Sequence, residues 1–327
     1  MTFNRKLKTQ LIKKGSGMMT FKSNNPLDFV GNTPMIELQN TNNSHGNILV
    51  KLEAFNPGGS IKTRTALGMI IEAERNGQIN ENSILVEPTS GNQGIGIALV
   101  AAIKGYRAKI VMPESMSTER RKMIENLGAE IDISPDGNNI SETFDNCKSR
   151  ARELAEQDSR VFILNQFENK ANPNAHRLTT AKEIIEQTGE QIDAFVAGVG
   201  TGGTLTGVGE VLKQKYPEVK IIAVEPEKAA VLSQSEISSH IQQGIGDGFI
   251  PGVLNQDIID EVLTVTDEEA LETAKSLNRR DGLFSGISSG TNVFAAMKIA
   301  EKLPPSANIV TVLPDSGDRY FSTPLFS

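Results

Sequence analysis

Three short segments carry residues whose types and spacing suit chemistry. Asn56-Pro57-Gly58-Gly59-Ser60-Ile61-Lys62 places a lysine directly after a tight Pro-Gly-Gly turn. The pattern predicts a helix from about Thr63, which puts the lysine at or near a helix N-terminus. The helix dipole disfavours a cation there, so a neutral or imine-bonded amine suits the place better. Pro88-Thr89-Ser90-Gly91-Asn92-Gln93-Gly94 precedes the apolar run Ile95–Ile103. Its two hydroxyls, its amide and the free N–H groups of a helix start form a site for a carboxylate or a phosphate. Gly198-Val199-Gly200-Thr201-Gly202-Gly203-Thr204 lets backbone N–H groups nest around a phosphate, with Thr201 and Thr204 as hydroxyl donors. This third segment is also a dinucleotide fingerprint. Gly198, Gly200 and Gly203 satisfy GxGxxG, and Glu225 stands about 20 residues on. Taken alone, it leaves NAD and another phosphate ligand equally open.

The three segments together favour one ligand. A dinucleotide leaves the lysine turn and the Thr89–Asn92 cradle unexplained. A phosphate nest, a second anion cradle and a lysine at a turn together point to pyridoxal phosphate. The nest holds the phosphate, the lysine forms the imine, and the cradle takes an amino-acid carboxylate.

These segments need elements that present them. From Pro34 onward, short apolar runs alternate with helical stretches. Strands are expected at Ile48–Leu52, Ser83–Val86, Ala108–Met112, Ala129–Ile133, Val161–Leu164, Ala194–Ala197, Lys220–Val224 and Asn308–Leu313, each covered on both faces. Helices are expected at Ser117–Leu127, Ile140–Gln157 and Asp267–Arg279, the last opened by a Thr266/Glu269 capping box. Such alternation predicts an α/β fold with largely parallel sheets.

Composition narrows the classes. The 327 residues suggest two domains or one large one. Net charge is −7, from 33 basic and 40 acidic residues, against binding nucleic acid through a basic surface. The single cysteine, Cys147, and three scattered histidines exclude a disulfide framework and argue against a metal site. Cys147 reads as a packed thiol and His176 as structural. The longest nearly apolar run is far too short to span a membrane. Residues 1–22 hold six basic residues and no acid, without an apolar core for a secretory signal, and read as a disordered extension.

From Asn32-Thr33-Pro34-Met35 to Arg319-Tyr320-Phe321-Ser322-Thr323 the chain resembles the cysteine synthase group of fold-type II pyridoxal-phosphate enzymes. That group includes O-acetylserine sulfhydrylases and cystathionine β-synthases. The resemblance implies a tryptophan synthase β-like fold of two three-layer αβα domains, a smaller one of residues 53–166 and a larger one of 23–52 plus 167–327. It implies that Lys62 is the Schiff-base lysine and that Asn92 contacts the ring hydroxyl. Gly200, Thr201, Gly202, Gly203 and Thr204 would hold the phosphate, and Ser316 the pyridine nitrogen. Thr89, Ser90, Asn92 and Gln166 would cradle the substrate carboxylate. It also implies a cytoplasmic homodimer acting on a small amino acid, with no membrane or nucleic-acid partner. A serine at the pyridine nitrogen favours β-elimination through an aminoacrylate over transamination.

The chain departs from the group's usual pattern at Thr63, Gln93, Ala181 and Asp247. Asp247 stands where the group usually has alanine, in a loop that faces the substrate side of the cofactor. A carboxylate beside Cβ repels hydrosulfide, yet it can activate water. The leading expectation is therefore L-cysteine plus water giving L-serine plus hydrogen sulfide, with Lys62 and Asp247 catalytic. The alternatives are cysteine synthesis from O-acetylserine and sulfide, replacement by another thiol amino acid, an NAD-binding enzyme using Glu225, and a catalytically dead binding subunit. An outward-turned Asp247 capping a backbone N–H is the alternative at that residue.

Overall fold

The computed structural model describes residues 23–189, 191–233 and 237–327; the basic segment 1–22 lies outside the described residues. Two sheets carry the chain. The larger has the order β1 (Met35–Glu37), β2 (Asn47–Leu52), β10 (Asn308–Leu313), β7 (Ala194–Gly198), β8 (Lys220–Pro226), β9 (Glu261–Val265). The smaller has the order β5 (Glu130–Ser134), β4 (Arg107–Pro113), β3 (Ile84–Pro88), β6 (Val161–Ile163). The β1–β2 pair is antiparallel; every other pair is parallel.

Each sheet is covered on both faces, because side chains alternate across a strand. On the large sheet, Val196, Val224, Ile48 and Val50 pack against helices α8 (Asp267–Ser276) and α9 (Ile287–Ala300). Phe195, Ile221 and Val310 face the other way, onto α6 (Thr180–Thr188) and α7 (Gly203–Lys215). On the small sheet, Leu85, Ile110 and Met112 meet α1 (Lys62–Arg75) and α2 (Asn92–Lys104). Val86 and Val111 meet Cys147 and Ala151 of α4 (Ile140–Gln157). The result is two αβα sandwiches: the α/β class with parallel sheets that the alternation predicts, in the architecture that the resemblance implies. The small sheet is built wholly from residues between Ile84 and Ile163. Among the described residues no helix is long and apolar enough to cross a membrane.

Three elements differ from expectation. β1 is a three-residue, largely exposed edge strand, too short for a periodic signal. β9 carries Val262, Thr264 and Val265, β-branched residues that are readable in the sequence but stand beside the stronger Thr266 cap. Helix α8 keeps its Thr266/Glu269 capping box but ends at Ser276, continuing as a π turn over Leu277–Asp281 that stops at Gly282, φ 70°.

A buried ion network ties α1 to the large sheet. The Arg64 guanidinium contacts the Glu53 carboxylate at 2.7 Å and that of Glu183, on α6, at 2.6 Å. Lys51 of β2 meets Glu183 at 2.7 Å. Thr33 donates to Glu53 at 2.7 Å. Two cations and two carboxylates thus neutralise one another away from water. Against the cost of burial, Arg64 and Lys51 draw the Glu183 carboxyl down to about 2.

Candidate active site

The Lys62 turn is held from a distance. Gly58 and Gly59 have φ of 82° and 71°, which side-chain-bearing residues rarely adopt. The Arg319 guanidinium donates to the Gly59 carbonyl at 2.7 Å and also to that of Gly58. Ile61 N–H donates to the Pro314 carbonyl at 2.8 Å. Thr63 donates its hydroxyl to the Pro57 carbonyl at 2.6 Å, closing the turn with a donor that an ionised carboxyl lacks. Lys62 then opens α1 and reaches into a cavity between the two sandwiches. Loss of hydration pushes its ammonium below the usual lysine range, against the pull of Asp247 and Glu87.

The cavity brings together Lys62, Thr89, Ser90, Asn92, Gln166, Gly200, Thr201, Gly202, Thr204 and Asp247. The 198–204 loop leaves β7 at its C-terminal end and turns into α7, so helix N–H groups point at the cavity. Gly200 has no room for a side chain: a Cβ there stands 2.3 Å from the Gly244 carbonyl oxygen. Gly203 does not line the cavity; it lies beneath it and donates its N–H to the Thr201 hydroxyl at 3.3 Å.

Asp247 turns inward and is buried, not outward as a cap. Gly244, Gly246 and Gly248 flank it with φ of 93°, 67° and 81°, and this coil throws the intervening side chain toward Lys62. Its carboxylate accepts no hydrogen bond among the described residues. Burial pushes its pKa up, against the pull of Lys62, His240 and Lys148. Beside it stands an aromatic wall. Phe144, Phe167 and Phe249 meet edge to face, with centroids 4.9 to 6.0 Å apart, and Lys148 lies 3.8 Å over Phe249.

Ser316 is placed differently from expectation. It does not line the cavity: its N–H donates to the Gly59 carbonyl at 3.2 Å, and it bridges Ser285. That pairing fixes its backbone against the lysine turn. Ser288, at the start of α9, lines the cavity instead. The Gly286-Ile287-Ser288-Ser289-Gly290 run is a fourth Gly/Ser helix start of the kind that marked the other segments. Glu225 also differs from its dinucleotide role. Its carboxylate accepts from the Leu232 N–H at 2.7 Å and the Ser233 N–H at 3.1 Å, so its own loop satisfies it. Cys147 is packed, its thiol pushed up to about 11 by burial. His176 is buried and its pKa falls to about 3 through desolvation and the nearby Arg64 and Lys62.

Glu87, on β3, escaped sequence reading as an ordinary strand residue. Fully buried, it accepts the N–H groups of Asn165 at 2.7 Å and Gln166 at 3.0 Å. It thereby fixes a turn in which Asn165 has φ 57° and Gln166 enters the cavity. Burial pushes its carboxyl up from 4.5 to about 8. Between those values the unfolded chain loses this proton and the folded chain keeps it, so stability falls as pH rises through the window. Urea titrations should show a contribution of up to about −1.4 kcal/mol per pH unit that Glu87→Gln removes. An equal slope in both proteins refutes the assignment.

The polar atoms left over suit pyridoxal phosphate. Asn92 Oδ1 and both amide atoms of Gln93 are buried without partners, and Gln93 lines the cavity. A depressed lysine, a glycine cradle at a helix start and orphaned amides match the aldehyde, the phosphate and the ring polar groups.

Comparison with known proteins agrees with this chemistry. Residues 27–315 match the family model described as "Pyridoxal-phosphate dependent enzyme". A cysteine synthase of Staphylococcus aureus is 48% identical over 305 residues, 93% of this chain and 97% of that protein. The crystal structure of an O-ureido-L-serine synthase superposes with TM-score 0.88 at 43% identity, covering 93% of this chain and 95% of that one. A hydrogen sulfide-producing enzyme from Fusobacterium nucleatum superposes with TM-score 0.88 at 37% identity, covering 93% of this chain and 100% of that one.

Proposed function

The chain belongs to the pyridoxal-phosphate dependent enzyme family, and from that membership we propose that it converts L-cysteine and water into L-serine and hydrogen sulfide. At the coarser level it is a pyridoxal-phosphate-dependent β-replacing enzyme of the cysteine synthase group. Lys62, Asn92, Gly200, Thr201, Gly202, Thr204 and Ser288 would hold the cofactor, and Thr89, Ser90, Asn92 and Gln166 the substrate carboxylate. When bound, the cofactor is an electron sink that acidifies Cα–H and lets a Cβ substituent leave. Lys62, short of water, takes the proton at Cα and later returns it. Asp247, its acid form favoured by burial, hands a proton to the departing sulfur, which leaves as hydrogen sulfide. The carboxylate so formed takes a proton from water, and the hydroxide adds to Cβ. The aromatic wall keeps other solvent away.

Asp247 carries this reading: a buried carboxyl that accepts no hydrogen bond among the described residues and shares a cavity with Lys62. The test gives cysteine alone to the wild type and to Asp247→Ala. The wild type should release sulfide and serine in equal amounts, and the variant should make serine roughly 10²- to 10⁴-fold more slowly. Equal rates of serine formation exclude Asp247 as the acid–base group. A wild type inert to cysteine but active with O-acetylserine and sulfide establishes cysteine synthesis, the second reading, which the 48% identity to the Staphylococcus aureus enzyme supports. The proposal includes mobility of residues 53–166 against the rest, a homodimer and a cytoplasmic location. Exposed Ile71 and Leu178, beside a groove lined by Leu67 and Ala175, support the dimer.

A further inference from the structure

We propose that Asn172 is a positioning residue that makes Thr201 an obligate hydrogen-bond donor to the cofactor phosphate, and so sets the preference for the phosphorylated cofactor over its dephosphorylated form. The inference rests on the reading of the 198–204 loop as a phosphate nest.

Asn172 sits on α5 (Ala171–Leu178), fully buried. Its Nδ2 lies 2.8 Å from the Gln166 carbonyl, which can only accept, so the amide orientation is fixed with its N–H₂ on that side. The same Nδ2 donates to the Thr201 hydroxyl oxygen at 3.0 Å. Gly203 N–H donates to that oxygen at 3.3 Å. Both lone pairs of the hydroxyl are therefore engaged. Its proton has no acceptor among the described residues, and Thr201 lines the cavity. The hydroxyl can only offer its proton to an anion there. A threonine without these two donors rotates freely and must lose that freedom to turn its proton toward phosphate. Gly203 is glycine for the same reason: a Cβ there stands 2.0 Å from Asn172 Oδ1. The amide also joins further parts of the site, since it donates to the backbone of Gln166 and its Oδ1 accepts from the Thr65 hydroxyl at 3.4 Å.

The test strips the full-length protein of cofactor and titrates it with pyridoxal phosphate and with pyridoxal, followed by the absorbance of the bound aldehyde. Asn172→Leu should weaken pyridoxal phosphate roughly tenfold and leave pyridoxal unchanged. Thr201→Val should weaken pyridoxal phosphate at least as much, and adding Asn172→Leu to it should cost nothing further. Where the leucine variant does not fold, Asn172→Asp fills the same space and reverses the donor; the loss should be larger and again confined to the phosphorylated form. Equal loss of both aldehydes overturns the proposal, as does an undiminished effect of Asn172→Leu in the Thr201→Val background. A wild type that binds both aldehydes equally instead overturns the phosphate-nest reading on which it rests.

Discussion

Lys62→Ala should reduce sulfide release from cysteine roughly 10⁴-fold or more. In the proposed function the substitution removes, at one position, both the covalent anchor and the group that moves the Cα proton. The other charged groups that bear on Lys62, Asp247 and Glu87, are carboxyls with raised pKa. The phosphate nest is untouched, so the variant should still retain pyridoxal phosphate, now released by mild dialysis. Turnover within tenfold of the wild type would exclude Lys62 from the chemistry. Loss of cofactor affinity without loss of turnover at saturating cofactor would reduce it to an anchor.

Arg64→Met should cost about 3–5 kcal/mol of unfolding free energy in urea titration. The methionine fills much of the space but leaves Glu53 and Glu183 with Lys51 as the network's remaining cation. Adding Glu183→Gln should recover part of the loss, because it removes the carboxylate that Arg64 clamped with two bonds. A lysine at position 64 should not rescue, since an ammonium cannot fork across two carboxylates. A cost below about 1 kcal/mol for Arg64→Met refutes the network's role.

Much of the molecule is legible in the sequence, for identifiable reasons. Parallel strands buried on both faces leave continuous apolar runs, so eight of the ten described strands are apparent before any coordinates. Gly200 and the Thr89–Asn92 cradle are legible because a strand-to-helix loop that approaches a ligand writes its glycines and hydroxyls contiguously. The supporting groups are not written that way. Glu87 looks like any strand residue until Asn165 and Gln166 fold onto it from 78 and 79 positions away. Asn172 is an ordinary helix residue until its amide meets Thr201. Ser316 and Ser288 both lie in Gly/Ser segments, and only the folded chain shows Ser288 among the residues lining the cavity. The inward turn of Asp247 depends on three positive-φ glycines, a conformation that the residue names permit but do not impose.

The clasp of Arg319 on the Gly58–Gly59 carbonyls spans 260 residues of sequence. β2 likewise finds its parallel neighbour β10 only when Asn308–Leu313 exists. On a ribosome adding about 5–20 residues per second, the lysine turn waits roughly 15–50 s for the residue that holds it. Closing so long a loop also carries an entropic cost that no local contact offsets beforehand. The nascent chain therefore lacks the clasped lysine turn and the completed large sheet until β10 and Arg319 have been made.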